Sequence, residues 1–80
     1  MKTITVKYFA IFREHAGLEE EILEIDAVTA LDLFKFTKNR HGLKEPIGQC
    51  KVAINNEMAD WSSNLNDGDI VLLFPPVAGG

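Results

Sequence analysis

Eighty residues allow one domain at most, since independent domains rarely run much below roughly 50 residues. A hydrophobic share of 46% with 25% charged residues is the balance of a folded globular chain. Eight basic against twelve acidic residues leave a net charge of −4, which argues against a nucleic-acid partner, because displacing counterions from phosphate takes clustered Lys and Arg. The single cysteine excludes an internal disulfide and a cysteine cluster that could hold a metal. No apolar run approaches the ~20 residues of a membrane span, and Met1-Lys2-Thr3 leads into alternation rather than a signal peptide. These features predict a small acidic domain of the cytoplasm, spanning 1–80, whose modest core gains stability from partners.

Ile4, Val6 and Tyr8 alternate with Thr3, Thr5, Lys7 and Phe9, the period of a half-buried strand. Ala10 to Ala16 predicts a short helical turn ending at Gly17. Glu21, Leu23 and Ile25 alternate with Glu20, Ile22, Glu24 and Asp26, a second strand with an acidic outer face that forms a hairpin with the first. Thr29 opens the main helix, its hydroxyl capping the first turn and Asp32 favouring the positive end of the helix dipole. Ala30, Leu33, Phe34, Thr37 and His41 share one face, flanked by Phe36, and Gly42 ends the helix. Lys51-Val52-Ala53-Ile54 reads as a third strand, Asn55-Asn56 as a turn and Glu57 to Asp60 as a short fourth strand. Asp67-Gly68-Asp69 is a turn, and the continuous apolar run Ile70 to Phe74 predicts a central strand covered on both faces. Pro75-Pro76 stops it.

A hairpin, a helix crossing the sheet and a last strand parallel to the first make an α+β, β-grasp arrangement. Residues 75–80 then project beyond the sheet as a tail.

Within that frame conventional catalytic sites look empty. His15 and His41 lack metal-ligand spacing, and His41 reads as a helix-end residue. Cys50 has no histidine nearby in sequence and reads as a small buried hydrophobe. Glu19-Glu20-Glu21 reads as a solvated strand face, and Trp61 as partly buried structure.

The C-terminal stretch Phe74-Pro75-Pro76-Val77-Ala78-Gly79-Gly80 differs. Two prolines stiffen an extended path, and from Phe74 to Gly80 the chain can reach roughly 20 Å at ~3.3 Å per residue. Gly79 and Gly80 suit a channel too narrow for any Cβ. Against the twelve acidic side chains, threading a glycine pair would select the α-carboxylate of Gly80. Taken alone, two terminal glycines can equally be a frayed end.

The chain resembles the MoaD family, the small sulfur-carrying subunit of molybdopterin synthase within the ubiquitin-like superfamily. The resemblance runs through Val6-Lys7-Tyr8-Phe9-Ala10, Phe12-Arg13-Glu14 with Gly17, Thr29-Ala30, Val52-Ala53-Ile54-Asn55 and Leu65-Asn66-Asp67-Gly68-Asp69. Its most specific part is the ending from Phe74 to Gly80. The resemblance implies that a MoeB-like enzyme adenylates Gly80 with ATP, that a persulfide donor converts it to a thiocarboxylate, and that the large subunit, MoaE, uses it on cyclic pyranopterin monophosphate. It implies no permanently bound cofactor, no catalysis by this chain alone, and a heterotetramer built on a dimeric large subunit. It also implies that Gly79 threads the tail and that Phe74, Pro75, Pro76, Val77, Ala78 and Met58 contact partners, with Phe74 and Met58 on adjacent strands. The alternatives are a ubiquitin-like modifier attached to lysines through Gly80 and a thiazole-pathway (ThiS-like) sulfur carrier.

Overall fold

Alternation decides the first strand. In the computed structural model, which describes residues 1–76, β1 (Lys2–Tyr8) points Ile4, Val6 and Tyr8 into the core and Thr3, Thr5 and Lys7 away from it. A short helix, α1 (Ile11–Ala16), follows and drops Phe12 into the core before Gly17 closes it in the left-handed conformation, φ 76°. β2 (Glu20–Ile25) returns antiparallel to β1, with Ile4 opposite Leu23 and Val6 opposite Glu21.

The main helix α2 (Ala30–His41) begins as the sequence predicts. The Thr29 hydroxyl accepts from the Asp32 amide at 3.3 Å, and the Asp32 carboxylate accepts from the Thr29 and Val28 amides at 3.1 Å each. Carbonyls of the later loop satisfy two more first-turn amides: Ser63 accepts from Ala30 and Trp61 from Leu31, both at 2.9 Å. The Thr29 and Val28 amide bonds hold Asp32 on its cap, so its carboxyl lies below the usual carboxylate range. Ala30, Leu33, Phe34 and Thr37 are buried, and Gly42 ends the helix at φ 68°.

A 3-10 turn (Ile47–Gln49), which no periodicity announces, leads into β3 (Lys51–Ile54). β3 joins β4 (Glu57–Ala59) through Asn55-Asn56, both at positive φ (52° and 69°) as a two-residue hairpin turn demands. β5 (Ile70–Phe74) ends the fold. The turn before β5 is tied to the start of β1: Asp67 Oδ1 accepts from Thr3 N at 2.6 Å, Thr3 O from Gly68 N at 2.8 Å, and Asp69 O from Thr5 N at 3.0 Å. That lashing delivers β5 alongside β1, parallel to it, with Val6 opposite Val71 and Tyr8 opposite Leu73.

The sheet order is β2-β1-β5-β3-β4, so the last strand is central, as the sequence predicts. Its two faces differ, however. Val71 and Leu73 are fully buried beside Ile4, Val6, Val52, Leu33 and Phe34, whereas Ile70 is 40% exposed and Leu72 and Phe74 are half-buried. The expectation of cover on both faces fails because α2 lies on one face only. Alternation is invisible in Ile70 to Phe74 because the uncovered positions are apolar too. No helix among the described residues is long and apolar enough to cross a membrane.

Candidate functional site

The uncovered face of the sheet carries a band of apolar side chains. One row crosses it from Met58 through Ala53 and Leu72 to Lys7 and Glu20, each opposite the next in the strand register. Phe74 stands in the row beyond, with Lys51 opposite it on β3. On the β1 side the Phe74 ring stacks on Phe9, centroids 4.8 Å apart and planes 20° from parallel. Met58 shares the face with Phe74 and is 66% exposed, but β3 lies between their strands. The expectation of adjacent strands is therefore corrected: β3 intervenes, with Lys51 opposite Phe74 and the small, buried Ala53 opposite Met58.

Pro75 and Pro76 continue the path of β5. With Phe9, Ala10, Ile11, Glu14 and Phe74 they line a groove of about 550 Å³ at the sheet end. Ala10 holds φ 51° and ψ −127° there, a conformation that suits glycine and costs a side-chain-bearing residue on the order of 1–3 kcal/mol. Val77, Ala78, Gly79 and Gly80 lie outside the described residues. The sequence singles out Phe74, Pro75, Pro76 and Met58, and the structure puts all four at or beside this surface. It adds Phe9 and Leu72. Phe9 is the next outward position after Lys7 in the period of two, so its place was available in the pattern.

A second cluster lies on the covered side. Glu21, read within a solvated acidic run, turns inward and keeps 11% of its side chain exposed. Its carboxylate accepts from the Tyr8 hydroxyl and from Arg40 Nε at 3.1 Å, and contacts His41 Nε2. The correction follows from phase: Glu21 falls in step with Leu23 and Ile25, which face the core. Burial pushes the Glu21 carboxyl up. The hydrogen bonds from Tyr8 and His41 and the charges of His41 and Arg40 outweigh it and hold the group below its ordinary value. Burial and the neighbouring carboxylate push the Tyr8 phenol well up, so it stays a donor. The His41 ring meets the Tyr8 ring edge-on at 5.3 Å. This network pins the end of α2 to β2.

The remaining candidates are structural. Cys50 is buried, its thiol donating to Pro46 O at 3.3 Å, and burial with the nearby Glu45 charge pushes that thiol up. His15 stands 3.8 Å from Glu45, away from His41's partners. Trp61 is half-buried against Phe34 at 5.0 Å. A polar hollow of about 500 Å³ beside the β3–β4 hairpin includes Asn55, Asn66 and Asp69. Each Asp69 carboxylate oxygen accepts one bond there, from Asn55 Nδ2 at 2.9 Å and from Asn66 N at 2.8 Å, an arrangement that braces the turn before β5. Among the described residues, no three His, Cys, Asp or Glu side chains converge to hold a metal.

A five-stranded mixed sheet crossed by one main helix, with an apolar open face leading into a proline-stiffened segment, defines a ubiquitin-like β-grasp domain of the carrier or modifier kind. The chain belongs to the ThiS family, whose model matches residues 6–80. It is 36% identical over 81 residues to the molybdopterin synthase sulfur carrier subunit of Chlamydomonas reinhardtii, covering 96% of this chain and 98% of that protein. Among solved structures it is similar to a chain in the complex of subunits 1 and 2 of the molybdopterin-converting factor from Helicobacter pylori. That likeness has 30% identity and a TM-score of 0.66, over 98% of this chain and 99% of the other. It is also similar to the small archaeal modifier protein 1 of H. volcanii, at 25% identity and a TM-score of 0.81, over 96% and 100% of the two chains.

Proposed function

We propose that this chain is the sulfur carrier subunit of a molybdopterin synthase and works without catalysing on its own. The observation that carries the reading is the open apolar face, where Phe9 and Phe74 stack at the root of Pro75-Pro76 in a chain 36% identical to a named carrier subunit. A carboxylate is a poor electrophile, because its charge is delocalised and its oxygen leaves badly. In the cycle proposed here, the Gly80 carboxylate attacks the α-phosphorus of ATP on a MoeB-like enzyme, and pyrophosphate leaves. The terminal sulfur of a persulfide then attacks the acyl carbon and AMP leaves. A thiol cleaves the resulting S–S bond, giving the thiocarboxylate and a donor disulfide. The large subunit takes that sulfur for cyclic pyranopterin monophosphate, and water returns Gly80 to the carboxylate.

The chain's own role is to dock and to present. Phe9, Leu72, Phe74 and Met58 supply buriable area on a rigid sheet. Pro75 and Pro76 limit the entropy lost when Val77 to Gly80 thread a groove, and Gly79 passes where a Cβ would block. One face serves both the activating enzyme and the large subunit, so their binding is mutually exclusive. The assembly with a dimeric large subunit is a heterotetramer. The deciding experiment is intact-mass analysis after incubation with ATP, a MoeB-like enzyme and a sulfur donor. The expected mass change is one oxygen exchanged for one sulfur at the C-terminal residue, lost when Gly80 is deleted while the urea midpoint stays put.

The likeness to the archaeal modifier supports a second reading, in which Gly80 is joined to lysines of other proteins. Conjugates carrying this chain in a lysate, abolished by the Gly80 deletion, would establish it.

A further inference from the structure

β2 is an edge strand, and its outward backbone groups have no partner among the described residues. Tyr8 N donates to Glu19 O at 2.8 Å, which places the hydrogen-bonded pairs of the β1–β2 ladder at Val6–Glu21, Ile4–Leu23 and Lys2–Ile25. The amides and carbonyls of Glu20, Ile22 and Glu24 therefore point away from the sheet. Their side chains are all exposed, Ile22 at 68%. Around the corner, between the end of β2 and the first turns of α2, lies a separate groove of about 360 Å³. Ile25, Ala27 and Phe36 give it apolar walls, and Glu24, Asp26 and Asp32 stand around it.

We propose that this edge is a second docking site, which takes an extended segment of a partner protein bearing basic residues on either side of an apolar one. An added strand would bond the free amides and carbonyls of Glu20, Ile22 and Glu24. Its side chains on the open face would meet carboxylate, isoleucine, carboxylate in turn, which calls for basic, apolar, basic. An intervening apolar side chain would enter the groove beside Phe36.

Charge selects this occupant over a second copy of the chain. Two β2 strands paired antiparallel about Ile22 would set Glu20 against Glu24, and like charges directly opposite are destabilising. Lys7 stands beside Glu20, Lys35 near Asp32, Arg40 on Glu21 and Arg13 on Glu19, while the Lys2 ammonium is held by Ala27 O at 2.8 Å and the Met1 amine lies 3.5 Å from Asp26. Glu20 and Glu24 remain on the edge without a side-chain hydrogen bond among the described residues. The site lies across β1 from Phe74, so an edge partner and a partner on the apolar face can bind together.

The test titrates the peptide acetyl-Gly-Lys-Val-Ile-Val-Lys-Gly-amide into the 15N-labelled full chain, followed by NMR. Binding should shift the amides of Glu20, Ile22 and Glu24 and slow their hydrogen exchange. The double variant Glu20→Gln/Glu24→Gln should keep the spectrum of the folded chain yet weaken the peptide by about fivefold, since two exposed charge pairs are lost. Phe74→Ala should leave the peptide's affinity unchanged, which separates this site from the carrier reading. The proposal is overturned if a peptide with Glu in place of both Lys binds as well. It is equally overturned if the shifts fall on Phe9, Leu72 and Phe74 instead, or if millimolar peptide shifts nothing.

Discussion

The two faces of β5 are made of the same kind of residue and have different fates. Val71 and Leu73 are sealed under α2, while Ile70, Leu72 and Phe74 line a face that nothing among the described residues covers. Apolar character alone thus says that a strand wants cover. The position of the one long helix says which side receives it from within, and which side is left for another molecule.

The sharpest way to break that contrast is to damage each face in turn. Phe34 is sealed against Phe12 and Trp61, with centroids at 6.1 and 5.0 Å, so Phe34→Ala should cost about 3–5 kcal/mol in urea unfolding. For a domain this small that leaves little net stability. Phe74→Ala, on the open side, should cost only about 1–2 kcal/mol of fold, mostly the stack on Phe9. Its affinity for the large synthase subunit, measured by calorimetry, should nonetheless fall at least about tenfold. If Phe74→Ala unfolded the chain as badly as Phe34→Ala, the two faces would not differ in kind.

The Glu21 cluster offers a comparison in pH. Its folded carboxyl lies below its ordinary value, so its stabilisation is present above about pH 4.5 and is lost as pH falls through the folded value. Asp32, also held low by its cap, acts in the same direction. Glu21→Gln should therefore lower stability at pH 7 by about 1–3 kcal/mol, by leaving buried donors poorly matched. It should also flatten the fall in thermal midpoint between pH 5 and 3. A profile as steep as the parent's would assign the acid sensitivity elsewhere. The smallest effect belongs to Ala10, whose backbone suits glycine. Ala10→Gly should raise the urea midpoint, by about 1 kcal/mol of stability, without altering partner affinity.

What the sequence disclosed tracks how strongly each segment repeats. β1 and α2 were legible because period two in Ile4, Val6 and Tyr8 and the Thr29–Asp32 cap each admit one reading. Asn55-Asn56 and Asp67-Gly68-Asp69 were legible as turns by chemistry. Glu21 was hidden by composition: within three identical glutamates, only its phase with Leu23 and Ile25 marks it as inward. The open face of β5 was hidden for the opposite reason, since an all-apolar run has no phase. The turn at Ile47–Gln49 spans too few residues to repeat. Of the site, Phe74 and the two prolines were visible as an ending. Phe9 joined it only when β1 and β5 were seen to lie side by side.

The parallel pairing of β1 with β5 also sets how the molecule bears load. Force applied through the residues after Phe74 pulls along β5, which is held on one side by β1 and on the other by β3. Its hydrogen bonds must then slide together rather than break singly, as they would if an edge strand were peeled away. In the carrier cycle proposed above, a tail drawn out of a partner's groove would tug in this direction at each release. The strand least able to yield is the one that carries it.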